Sequence, residues 1–338
     1  MWRRLLFVTL PILVILVALL LSTPSFPLSI LARSKIPLAQ RMLPLLQRRF
    51  LQQAAAASAA AKNMTRRTPV YFFSHGGPDV QYRTEHAAYP VLQAIGREIT
   101  QKVKPKAAVV FSAHWQAQPN EIHFNNAVET DLIYDFYGFP PEFYEAKYPS
   151  RGDPALAERV QTLLTEAGIA SQGLKRGLDH GVFSGFHVAF HPEDNPLGVP
   201  LVQVSLFKNE DPDAHYRLGQ AVAALRDEGV VIICTGMTVH NLRDMRLTWG
   251  DPKPLPYSVS FDEALKEAVE ADPSVRQERM REVTKRPDAK QAHPWMDHLM
   301  PVYIAAGAAG DDRGKRTWTL HEACFAWGQY RFGEVPSS

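Results

Sequence analysis

Histidines carry the chemistry this chain can do: His75, His114, His180 and His240, with one of His293 and His298. Three of them stand after apolar, β-prone runs, His75 after "VYFFS", His114 after "AVVFSA" and His240 after "VVIICTGMTV". Neutral imidazole is the commonest side-chain ligand for first-row divalent metals, so three imidazoles brought to one place would make a metal site. Gly76 and Gly77 follow His75 directly and let backbone, substrate or metal approach without a Cβ in the way. His180 sits between Asp179 and Gly181 in "LDHGVFSGF", just after the basic pair Lys175-Arg176. His293 and His298 lie in "AHPWMDHLMPVYIAAGAAGD". Five residues apart, they do not share a helix face, so one of them serves a site and the other does not. His86, His123, His187, His191, His215 and His321 lack such surroundings and read as surface or packing residues.

What brings such residues together is an alternation of elements. "AAVVFS" (107–112), "VPLVQVSL" (199–206) and "GVVIICTG" (229–236) are continuous apolar runs, the signature of strands buried on both faces. Amphipathic segments at 153–168, 214–229 and 260–271 read as helices, the first with Asp153 as N-cap, Pro154 in the first helical position and Gly168 past its end. Strands alternating with helices predict a single α/β domain with a largely parallel central sheet. In such a sheet ligands bind outside the carboxyl ends of the strands, where three of the histidines fall. Pro294 is placed to open a helix whose buried interior is 302–309, with His298 near its first turn. Residues 126–152, rich in aromatics and prolines, read as an ordered loop or lid.

The chain has 338 residues, enough for a sizeable core. Residues 1–78 hold ten Lys/Arg and no acid, which leaves 27 of the 37 bases against all 35 acids in the rest. That acidic body excludes nucleic acid as a partner, because such binding rests on clustered positive charge. Two cysteines, Cys234 and Cys324, exclude a cysteine-rich zinc module and a disulfide scaffold.

The first residues have a plan of their own. Arg3 and Arg4 precede an uncharged run at 5–21, so 1–22 reads as a transmembrane signal-anchor, a signal peptide or a transit segment. The two arginines favour a single-pass anchor with the body on the non-cytosolic side. The acid-free, arginine-bearing stretch through Arg67 supports a mitochondrial alternative. Residues 23–67 read as a linker and 68–335 as the catalytic domain.

"SHGGP", "FSAHW", "DFYGFPPEFYEAKYP", "LDHG", "VHNLRD" and "AHPWMDHLMPVYIAAGAAG" stand in the order and approximate spacing found in the class III extradiol ring-cleavage dioxygenases. The body resembles most closely the branch that includes the 4,5-DOPA extradiol dioxygenases. The resemblance implies His75, His114 and His298 as metal ligands, His240 as a further ligand or an acid/base, and His180 facing the substrate. Proton transfers would then fall to His180 and His240. It also implies Fe(II), with Zn(II) as the alternative metal, and a catechol and O2 as substrates, joined to give a muconic semialdehyde. Two departures stand out: the usual hydroxyl residue is replaced by Gly77, and His298 stands where many relatives outside the branch have a carboxylate. Trp115, Phe136 and Tyr137 are candidates for packing the ring, and Lys175, Arg176 and Arg243 for a charged substrate group. A zinc-dependent hydrolase and a non-catalytic metal-containing binding protein on the same scaffold are the competing functions.

Overall fold

Val70, Tyr71, Phe72 and Phe73 are buried from end to end, with Val70 and Phe72 in one apolar cluster and Tyr71 and Phe73 in another. A strand whose successive side chains point to opposite faces needs cover on both, and that sets the three-layer plan. The computed structural model describes residues 67–336 except Trp249. The strands are β1 (Val70–Ser74), β2 (Ala107–Gln116), β3 (Glu121–Asn125), β4 (Leu132–Ile133), β5 (Ala170–Leu174), β6 (Leu178–Asp179) and β7 (Leu201–Leu206). They continue with β8 (Val230–Gly236), β9 (Val239–His240), β10 (Gly314–Trp318), β11 (His321–Glu322), β12 (Phe325–Ala326) and β13 (Gln329–Phe332). The helices are α1 (Ala88–Glu98), α2 (Pro154–Glu166), α3 (His180–Ala189), α4 (Pro212–Val222), α5 (Pro256–Val269), α6 (Pro273–Val283), α7 (Ala289–Ala292) and α8 (Met300–Ala309).

The main sheet has the order β10-β13-β1-β8-β2-β7-β3-β5. Its centre, β1-β8-β2-β7, is parallel, as the apolar runs predict. The flanks differ: β13 runs antiparallel to both β1 and β10, and β3 antiparallel to β7. The largely parallel sheet expected from sequence is therefore corrected to a mixed one. The flanking strands are short and partly exposed, β10 alternating between buried or half-buried and exposed positions. Such strands need no covering helix on each side, so they can return as antiparallel partners.

Asp153 caps α2 by accepting from the backbone N–H of Ala155 and Leu156, with Pro154 opening the helix. Near the other end of the chain Pro294 does not open a helix. It lies in a bend, and α8 starts at Met300 with Pro301 in its first turn. His298 therefore sits in the turn before α8. Residues 126–152 form the expected ordered, largely irregular loop, with one short 3-10 turn at Pro141–Glu145.

The membrane-anchored, single-pass location expected from the leader is also corrected. Among the described residues no helix is long and apolar enough to cross a membrane. The leader at 1–22, and with it the mitochondrial alternative and nearly all of the 23–67 linker, lies outside the described residues.

Candidate functional site

Strands β1, β8 and β2 are adjacent and parallel, so their carboxyl ends share one edge of the sheet. His75 leaves β1 there, its N–H donating to Gly236 O at 3.0 Å. β2 runs past its expected end to Gln116, and its register with β7 shifts between Phe111 and Gln116. His114 lies in that irregular stretch, where a bulge re-aims side chains. Beyond β8 the chain turns and ends β9 with His240. His298 is drawn in by its own carbonyl, which accepts from Met237 N at 3.0 Å. A Cβ on Gly236 would meet that carbonyl oxygen at 2.2 Å, so only glycine lets the turn come this close.

All five histidines reach one cavity of about 1110 Å³. The ring centres of His75, His114 and His298 lie 4.9–5.5 Å apart. The Nε2 atoms of His114 and His298 are 3.1 Å apart. Two imidazoles on one metal, each about 2.0–2.1 Å from it, hold their nitrogens about 2.9–3.4 Å apart. His75 donates from Nδ1 to its neighbour's Gly76 O at 2.6 Å, which leaves Nε2 as a lone pair, buried and without a partner. Ring nitrogens of His75, His114 and His180 also come within 4.8 Å of one another. An orphaned lone pair beside two converging nitrogens fits a divalent metal, and the all-imidazole donor set suits both iron and zinc.

His240 is different. Its ring stacks on that of His298 at 3.7 Å with only 10° between the planes. The in-plane lone pairs of stacked rings lie in separate, nearly parallel planes, so these two do not converge on one ion in this arrangement.

Asp135 organises the site, and sequence reasoning did not single it out. Its Oδ1 accepts from the Nδ1 and backbone N of His180 at 2.8 and 3.0 Å, and its Oδ2 lies 3.0 Å from His114 Nδ1. The carboxylate can only accept, so both rings carry their protons on Nδ1 and present Nε2. The only clue in the sequence was an acid opening the aromatic motif. Asp179, the neighbour of His180 in the sequence, accepts from Ser112, Arg176 and Gln203.

Burial pushes His75, His240 and His298 well below the usual imidazole pKa, and neighbouring imidazoles push the same way. His180 is lowered too, by burial and then by His114, against the pull of Asp135. Burial also works on His114, but the Asp135 hydrogen bond and the charges of Asp179, Asp135 and Asp297 outweigh it, so its pKa rises. Asp135 is held low by its two histidines despite its own burial.

Of the ring-packing candidates, Phe136 lies 5.5 Å from the His180 ring. Tyr137 borders the cavity but is 89 % exposed, and Trp115 lies under Arg176 outside it. Lys175, Arg176 and Arg243 do not line the cavity; Arg83 does. His293 is buried against Phe261 with Nε2 at Thr238 O, a packing role. His86, expected at the surface or in packing, is buried and holds Glu322 at the cavity wall, 3.1 Å away.

The sequence and the fold that carry this histidine cluster are similar to those of known proteins. The family model described as the catalytic LigB subunit of aromatic ring-opening dioxygenase matches residues 64–333. The 4,5-DOPA dioxygenase extradiol of Beta vulgaris is 35 % identical over 273 residues, covering 78 % of this chain and 95 % of that protein. The Escherichia coli protein of the same name is 32 % identical over 244 residues, covering 72 % and 85 %. A crystal structure of an uncharacterized protein from Escherichia coli K12 superposes with a TM-score of 0.64 at 28 % identity, covering 79 % of this chain and 100 % of that one. The chain belongs to the LigB family, the class III extradiol dioxygenases. It is accordingly an oxidoreductase, a ring-cleaving dioxygenase of a non-haem metal-dependent family.

Proposed function

We propose that this enzyme cleaves the ring of a catechol, DOPA-like in its diol, beside the hydroxyl pair, adding both atoms of O2 to give a muconic semialdehyde. The observation that carries it is the His75, His114 and His298 cluster, with two Nε2 atoms 3.1 Å apart and a third buried without a partner. These three would hold Fe(II), within a catalytic domain spanning 68–335. The bound metal supplies the Lewis-acid and redox chemistry that joins diol and O2. The rest belongs to the protein. His75 and His298, kept neutral by burial, offer lone pairs that no proton contests near pH 7. His180, with its Nδ1 proton tied to Asp135, takes a catechol proton at Nε2. His240, stacked on His298 and outside the converging set, moves the second proton. Such acid–base help is worth roughly 10²–10⁴-fold in rate. Phe136 covers the ring and excludes water.

The test uses full-length protein prepared without air and loaded separately with Fe(II) and Zn(II). O2 uptake is followed with the visible spectrum across a catechol panel that includes DOPA. Uptake with iron alone, in step with a new yellow product and lost in His114→Ala, is the expected result. An iron-loaded protein that takes up no O2 with any catechol overturns the proposal. Activity that persists without O2 and survives iron chelation would support a zinc hydrolase instead.

A further inference from the structure

One wall of the cavity is a small sheet, β9-β12-β11, which begins at the histidine cluster with His240. In its register His240 faces Phe325, and Phe325 faces Glu322. Residues directly opposite across antiparallel strands point to the same side, and all three line the cavity. Two strand spacings separate His240 from Glu322, about 10 Å between their backbones. The row therefore runs from a proton-transfer imidazole, over an aromatic ring, to a carboxylate.

Glu322 is held in an uncommon way. Its Oε2 accepts from Trp327 Nε1 at 3.2 Å and from His86 Nε2 at 3.1 Å. The Ala88 N–H donates to Nδ1 of that same His86 ring, which places the His86 proton on Nε2 and makes it a neutral donor. Two neutral donors orient the carboxylate without cancelling its charge. Its Oε1 has no hydrogen-bond partner among the described residues, and the side chain is 25 % exposed. Arg83, the one guanidinium lining the cavity among the described residues, makes its ion pairs with Asp79 and Glu85, and Glu322 feels only its charge. Trp327 in turn lies against Gly76, whose φ of +69° and missing Cβ admit the indole, so Glu322 is braced against the residue next to His75.

The cavity as a whole has the same sign. Among the described residues Asp79, Asp135, Asp251, Asp297 and Glu322 face it against Arg83 alone, so with neutral imidazoles its formal charge is −4, and a divalent metal still leaves it negative. Such a cleft concentrates cations and repels anions.

We propose that Glu322 determines substrate choice: its free carboxylate oxygen takes a primary ammonium carried on a short side chain of the catechol. This deepens the ring-cleavage reading and rests on it. With the diol at the histidines, the ring crosses Phe325 and a chain of two or three carbons brings the ammonium to Oε1. Glu322 acts by binding, and the reacting atoms do not touch it.

The experiment compares dopamine (cationic), 4-methylcatechol (neutral) and 3,4-dihydroxyphenylacetate (anionic) on the full-length, metal-loaded chain. Anaerobic calorimetry gives affinity without turnover, and O2 uptake gives kcat and KM. The wild type is expected to prefer dopamine in both. In Glu322→Gln, which preserves size and can still accept from His86 and Trp327, the dopamine to 4-methylcatechol ratio of affinities and of kcat/KM falls about tenfold or more, through KM, as expected for losing a hydrogen bond to a charged group. Glu322→Asp, which keeps the charge, recovers part of the ratio. A ratio that stays within twofold in Glu322→Gln, or a wild type that favours the anion, overturns the proposal. Catechols that bind but are not cleaved would count against ring cleavage, with the amine preference then judged on the binding ratio alone. A protein that binds none of them overturns both.

Discussion

Replacing Asp135 by Asn tests the organisation of the site most directly. The carboxylate offers two acceptors, Oδ1 to His180 and Oδ2 to His114. An amide keeps one acceptor. His180 presents two donors, Nδ1 and its backbone N, so the remaining oxygen stays with His180. The NH2 then faces His114 Nδ1, which must become an acceptor, and the neutral ring's proton moves to Nε2. That is the nitrogen 3.1 Å from His298 Nε2 and proposed to bind the metal. Metal binding in Asp135→Asn must reverse this tautomer, and losses of such partners weaken metal sites by about 10–100-fold, or roughly 1.4–2.7 kcal/mol. The assay is competition with a chromophoric chelator, for Zn(II) in air and Fe(II) without it. Combined with His114→Ala, the substitution should cost far less than it does alone, because the two act through one bond. An affinity loss of less than threefold in the single variant, or full additivity in the double, refutes the reasoning.

His298→Ala should lose metal by at least 10-fold, whereas His180→Ala should retain metal and lose kcat by roughly 10²–10⁴-fold; chelator competition and O2 uptake separate the two, and the reverse pattern would assign His180 to the metal. His215 and His293, fully buried, have pKa values pushed down to about 4 by burial. Between about pH 6.5 and 4 the unfolded chain binds protons that the folded one does not, so stability present above pH 6.5 is lost on acidification. Each group contributes up to about 1.4 kcal/mol per pH unit, and His215→Gln should remove its share of the slope in urea unfolding at pH 6.5, 5.5 and 4.5. Gly236→Ala drives a Cβ into the His298 carbonyl and should cost about 1–3 kcal/mol in urea unfolding together with a loss of metal affinity.

The central strands and the histidines at their ends were legible because burial on both faces leaves long apolar runs, and because parallel strands must end at a common edge. His75 and His114 could be placed from that rule, whereas His240 lies past a turn beyond β8, on β9 of the small antiparallel sheet. The mixed flanks were not legible: β3 and β10 are five residues each, neither buried throughout, and nothing local fixes their direction. Asp135 and Glu322 escaped for a different reason. Each lies in a segment without sustained periodicity, and each acquires its meaning from residues 45 or 236 positions away in the chain. Pro294 misled because it resembles a helix opener, while Pro301 holds that place.

The pairing of β1 has a consequence for how the protein is made. Val70 pairs with Ile232 on one side and with Phe332 on the other. A ribosome adding roughly 5–20 residues per second takes on the order of 10–50 s to pass from the first of these to the last. For that time β1 has an open edge, and neither β12 nor Glu322 exists to close the cavity wall. The active site is thus a late product of synthesis. Its last contributions come from the final stretch of the described chain, so a ribosome that stalls after α8 releases a protein with all five histidines, no β13 beside β1 and no carboxylate to receive an ammonium.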